Sequence, residues 1–240
     1  MRRWYSAFVA AALAAALSVV AVRAEAVAPE AAAARGKNAQ NLPTPVVPRG
    51  AANARARGGP LDDQQRALVQ RINAYLTSVH TLIGDFVQVG PDGSRTDGKF
   101  YLQKPGRVRF EYNPPSPLEL VSDGRSVAIR DRRLATQDLL LLSQTPLRFL
   151  LSERIDLLKE GNLVHVYSDD VFVTIVLEEK QTLGGTHRLL LMFNVQDLQL
   201  KQWTVTDPQG YDTTVALYNL DAGKKPDPGL FRINYERLRD

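Results

Sequence analysis

"KFYLQKPGRVRFEY", Lys99–Tyr112, reads as two strands joined by a Lys-Pro-Gly corner. Phe100, Leu102 and Lys104 share one parity before the corner. Val108, Phe110 and Tyr112 share one after it. In a strand, residues of like parity lie on one face. The apolar face of the first strand therefore ends in an ammonium group. The stretch predicts a hairpin and leaves an inward lysine to be explained.

Strands continue on both sides. Upstream, "TLIGDFVQVG" alternates loosely and stops at "GPDGS", and "RTDGKFYLQK" leads into the corner. Downstream, Pro114, Pro115 and Pro117 break the pattern, since proline cannot donate to a sheet ladder. "LELVS", the turn Asp123-Gly124 and "RSVAIRD" spell a hairpin. "RRLATQDLLLL" fits a strand or a helix. "TPLRFLLSERI" predicts a short helix with Thr145 as cap and Pro146 at its first position. Strands resume with "NLVHVYS" and "VFVTIVLEE" around Ser168-Asp169-Asp170, then "HRLLLMFNV" after the turn Gly184-Gly185. "LQLKQWTVTD" and "YDTTVALYN" flank Pro208-Gln209-Gly210, and "DPGLFRINY" closes the series. Ahead of them all, "LDDQQRALVQRINAYLTSVHTL" predicts a helix capped by Asp62 or Asp63 and ending near His80. Its apolar stripe is Leu68, Ile72, Tyr75 and Val79. The pattern amounts to about ten or eleven strands in sequential antiparallel order with two or three helices, as in sandwiches and barrels.

The first 60 residues differ in kind. "MRRWYSAFVAAALAAALSVVAVRAEA", residues 1–26, has the form of a secretory signal peptide: Arg2 and Arg3, then an apolar stretch from Trp4 to Val22. Small residues at Val22-Arg23-Ala24 or Ala24-Glu25-Ala26 offer a cleavage site. An uncleaved membrane anchor is the alternative, set against by the weak hydrophobicity of alanine. Residues 27–60, rich in Ala, Pro and Arg, lack the large apolar side chains that would offset ordering entropy and read as a disordered linker. Residues 61–240 form the domain. The chain's net charge of +4 comes from the first 60 residues, so the high pI is no argument for nucleic-acid binding. There is no cysteine, hence no disulfide and no lipid-modified cysteine.

Catalytic signatures are missing. His80, His165 and His187 stand alone, without HExxH spacing. There is no GxSxG elbow and no P-loop. Asp169-Asp170 and Glu178-Glu179 flank a hairpin and read as solvated. The abundant feature is apolar strand surface. A filled barrel core and an open sheet around a lipid-holding cavity fit it equally well, because periodicity does not separate them.

Taken in order, "LIGDFVQ", "GKFYLQKPGRVRFEY", "LELVSDGRSVAIRD" and "LKQWTVTDPQGYDTTVALYNLDAGKKPDPGLF" resemble the LolA family, periplasmic carriers of outer-membrane lipoproteins, over about residues 65–235. The resemblance implies a mainly β fold with a few α-helices: an incomplete, half-open antiparallel β-barrel with a helical lid over an apolar cavity. The expected lining is Phe86, Phe100, Leu102, Val108, Phe110, Ile129, Phe149, Leu191, Phe193 and Trp203. Lys104 falls where the family typically has an arginine that ties the lid to the barrel, and Val108 where an aromatic is common. Lysine has no planar fork, so the expectation is either a weaker closure of the lid or a latch that works differently. The implied partners are lipoprotein acyl chains, an inner-membrane ABC transporter complex (LolCDE-like) and, where present, an outer-membrane receptor (LolB-like). No cofactor and no metal are implied, and the carrier would act as a monomer without enzymatic activity.

Two other readings share this sheet. One is an envelope module that senses lipid or lipoprotein, as in regulators resembling RseB. Those carry a second domain, for which the chain beyond Phe231 leaves no room. The other is a carrier of a different lipid.

Overall fold

A computed structural model describes residues 44–46, 61–160, 162–181 and 185–236. The signal segment 1–26 and all of the linker but Thr44–Val46 lie outside them, as does Gly184 of the expected Gly-Gly turn.

Among the described residues, eleven strands form one sheet: β1 Thr81–Val89, β2 Arg95–Gln103, β3 Arg107–Tyr112, β4 Leu118–Asp123, β5 Ser126–Asp131, β6 Thr136–Leu141, β7 Asn162–Ser168, β8 Phe172–Gln181, β9 Gly185–Asn194, β10 Leu200–Thr206 and β11 Asp212–Asp221. Their order is β6-β5-β4-β3-β2-β1-β11-β10-β9-β8-β7, antiparallel throughout and open at both edges. Consecutive strands are neighbours with one exception. β6 and β7 stand at opposite edges, and the first and last strands meet in the middle, where β1 pairs with β11.

The quoted stretch is β2, the corner and β3. Leu102 pairs with Val108, and Phe100 with Phe110, so both apolar sets share the inner face. The corner needs glycine. Gly106 has φ +73, and a Cβ there would lie 2.6 Å from the Gly124 Cα in the β4–β5 turn. Gly98 serves the core differently. A Cβ would strike the Glu111 carbonyl and the Phe86 ring, so only a glycine admits that ring against β2.

Among the described residues, three α-helical pieces cover the inner face. α1 spans Asp63–Ser78. Asp62 caps it in a box with Gln65, each side chain taking the other's backbone N–H. Its buried face is Val69, Ile72 and Leu76, with Leu68, Tyr75 and Val79 half-buried beside it. The expected stripe is thus one flank of a broader apolar face. α2 (Arg148–Leu151) and α3 (Leu157–Glu160) are single turns in the connection from β6 to β7. "TPLRFLLSERI" gives a shorter helix than its pattern suggests. Thr145 does not cap it, because its hydroxyl donates to the Leu142 carbonyl at 2.9 Å. The ambiguous "RRLATQDLLLL" resolves as β6 followed by a 3-10 turn, Leu142–Gln144. A second 3-10 turn, Pro228–Phe231, packs on β3 and β4.

Candidate functional site

The inner face carries an aromatic cluster. Phe86 meets Phe110 edge-on at 5.1 Å and Tyr112 at 5.0 Å; Phe110 also meets Phe100 at 5.1 Å and Trp203 at 6.1 Å. Each such pair adds roughly 0.5–1.5 kcal/mol beyond area burial. The Tyr112 hydroxyl donates to Gln88 Oε1 at 2.7 Å, which satisfies a buried phenol. Burial raises the pKa of that phenol.

Between this floor and the helices lies a cavity of about 40 Å³. Its floor is Leu82, Phe100, Leu102, Val108, Phe110, Leu200, Trp203 and Leu217. Its roof is Tyr75, Leu76 and Val79 from the end of α1, and Leu147, Leu150 and Leu151 from α2 and its approach. Leucines of the connection fill what would otherwise be a wide apolar trough.

Among the described residues of the lining, Lys104 alone is charged. Its Nζ donates to the Leu76 carbonyl at 2.5 Å. Helix ends leave their last four carbonyls without intrahelical partners, and the dipole there favours a cation. α1 has no basic residue in its own last turn, so Lys104 supplies that charge from the sheet. Burial pulls its pKa down to about 8. The same corner holds the other helix: Gly106 N–H donates to the Leu151 carbonyl at 2.8 Å, and Lys104 N–H to the His80 carbonyl at 2.8 Å. One Lys-Pro-Gly corner thus ties down both α1 and α2.

A second tie lies on β8. Arg148 of α2 forks onto Glu179 with contacts of 2.9 and 2.7 Å, and its guanidinium lies 4.0 Å from the Phe149 ring centre. Glu178 pairs with Arg188 at 2.6 Å. Neither glutamate is simply solvated, contrary to the expectation from the hairpin pattern. The register pairs Glu179 with His187, which is buried and whose ring nitrogens have no hydrogen-bond partner among the described residues. Burial lowers the His187 pKa, against opposing pulls from Glu179 and Asp207.

The helices are also knit together. The Leu157 N–H donates to Asn73 Oδ1 at 3.1 Å and the Ile155 N–H to Thr77 Oγ1 at 3.2 Å.

Of the residues expected to line a cavity, Phe100, Leu102, Val108, Phe110 and Trp203 do so, with Lys104 at the rim. Phe86, Phe149, Leu191 and Phe193 belong to the surrounding core and do not touch the cavity; Ile129 is half-buried at its margin. They sit too deep or too far along the sheet, since one face of eleven strands is wider than one cavity. The roof leucines were missed, though the apolar run of "TPLRFLL" was their signal. Among the described residues no group of three or more His, Cys, Asp or Glu could hold a metal, and no helix is long and apolar enough to cross a membrane.

The family model described as outer membrane lipoprotein carrier protein LolA matches residues 77–234. The outer-membrane lipoprotein carrier protein of Methylococcus capsulatus is 30% identical over 173 residues, covering 68% of this chain and 82% of that protein. Its counterpart in Pseudomonas fluorescens is 26% identical over 183 residues, covering 72% and 86%. Among solved structures, a LolA superfamily protein from Nitrosomonas europaea is 12% identical with a TM-score of 0.38, covering 70% of this chain and 98% of that one.

Proposed function

The chain belongs to the LolA family of outer membrane lipoprotein carrier proteins, and from that premise we propose that it carries the acyl chains of lipoproteins across the periplasm. Cargo comes from an inner-membrane ABC transporter complex and goes to an outer-membrane acceptor. The observation that carries this reading is a roofed apolar trough whose filling is the protein's own leucines. In the form described above, the leucines of the connection lie against the floor of that trough.

The mechanism is exchange of one apolar filling for another. Each methylene buried is worth about 0.8 kcal/mol. An unobstructed trough would hold several acyl chains too tightly to release them. Leu147, Leu150 and Leu151 compete for the same floor, so binding yields only the difference between cargo and lid. Lys104 to Leu76, Gly106 to Leu151 and Arg148 to Glu179 add a polar increment to closure. Loading therefore needs a partner that opens the lid, and closure helps expel cargo at the acceptor.

The test has two arms. The purified chain, titrated with an apolar fluorescent probe, takes it up with a change in Trp203 emission; no uptake at any concentration excludes a lipid seat. Depletion in the native cell leaves lipoproteins at the inner membrane. If they reach the outer membrane normally while another lipid is mislocalised, the seat is right and the cargo is wrong.

A further inference from the structure

The outer face of the sheet has a row of withdrawn side chains. Val87, Ala216, Gln202, Met192 and Thr174 pair strand to strand across β1, β11, β10, β9 and β8. They are 0%, 6%, 5%, 1% and 1% exposed, though none belongs to the inner core. An outer sheet face facing only water would not be this dry. At the centre of the row, Gln202 grips the backbone of a distant residue. Val46 N–H donates to Gln202 Oε1 at 2.9 Å, and Gln202 Nε2 donates to the Val46 carbonyl at 2.8 Å. The same Nε2 lies 3.4 Å from Met192 Sδ. A side-chain amide here reproduces both hydrogen bonds that a neighbouring strand would offer one residue.

We infer that the outer face is a clamp for an extended peptide and that its occupant is the chain's own Thr44–Val46, docked in cis. Pro45 fits this geometry, because its fixed φ favours extended backbone and it needs no donor partner. Fifteen residue steps separate Val46 from Leu61, and an extended chain covers about 3.3–3.6 Å per residue. Thr44–Val46 then lies on the back of the sheet whose inner face is covered by α1. Recognition is by main chain, so the side chain at 46 contributes little; Val46 is 47% exposed.

The experiment is amide hydrogen exchange on the full chain. Val46 should exchange at least tenfold more slowly than in a free peptide of residues 40–50, equally at low and high protein concentration. Gln202→Leu should abolish that protection, and Gln202→Glu, which keeps the acceptor but loses the donor, should reduce it. An excess of the free peptide added to the unmodified chain should also reduce it, a readout that needs no variant to fold. Free-peptide exchange at Val46 in the unmodified chain overturns the inference. So does protection that survives in a folded Gln202→Leu variant. Protection that grows with protein concentration means docking between copies and overturns the cis assignment.

Discussion

Lys104 shows how one side chain sets a balance between states. With the lid closed its pKa is about 8, because burial disfavours the charge. With the lid raised the ammonium meets water, and its pKa returns toward the usual ~10.4. The open form therefore holds more protons than the closed form between these values. Raising the pH favours closure. Affinity for an apolar probe should fall as pH climbs from 7 to 9.5, and a rise would contradict the latch. Lys104→Leu should flatten that profile. It also strands the Leu76 carbonyl, a loss of about 1–3 kcal/mol for the closed form. His187 sets the opposite margin. Its depressed pKa means the unfolded chain binds the proton more readily. Stability should drop as pH falls below about 6.5, the unperturbed value. His187→Phe should lose that acid sensitivity in thermal melts at pH 5 and 7; an unchanged difference would remove His187 as its source.

At the scale of elements, the lid is held by short pieces with few residues of their own. α2 is one turn, too short to be stable by itself, and depends on Gly106 and Glu179 for position. Both partners of the Arg148–Glu179 fork are partly withdrawn from water, so the pair is worth about 1 kcal/mol. Glu179→Gln should loosen the lid, raising probe affinity severalfold while the melting temperature moves by only a few degrees. A large loss of fold would instead make Glu179 structural. These elements were unevenly legible. The helix α1, its aspartate cap and the hairpins came through because capping residues, turn residues and periodicity are local. The Lys-Pro-Gly corner came through as an oddity of parity, and the resemblance gave it a role. Part of the roof did not, because Leu147, Leu150 and Leu151 look like any apolar run until a floor is placed beneath them. A helical lid was implied by the resemblance, and Tyr75 and Val79 of the roof lie in the expected stripe; it is those three leucines, and Glu179 with its partner 31 positions away, that were not legible.

For the whole molecule, the inner face serves two ends at once: it is the core of the fold and the floor of the trough. Phe110 stands where the two meet, touching Phe86, Phe100 and Trp203 and lining the cavity. Phe110→Ala should cost about 3–5 kcal/mol by denaturant unfolding. A loss below 1 kcal/mol would mean that the floor is already loose. The topology adds one more consequence. Strands lie about 4.8 Å apart, so a flat sheet of this size would hold its outer edges roughly 48 Å from each other. The residues between β6 and β7 join those two edges, and part of that span is coiled into helical turns that advance only ~1.5 Å per residue. The connection is therefore a strap fastened at both rims of the floor, so the roof has an anchor on each side of the trough that it covers.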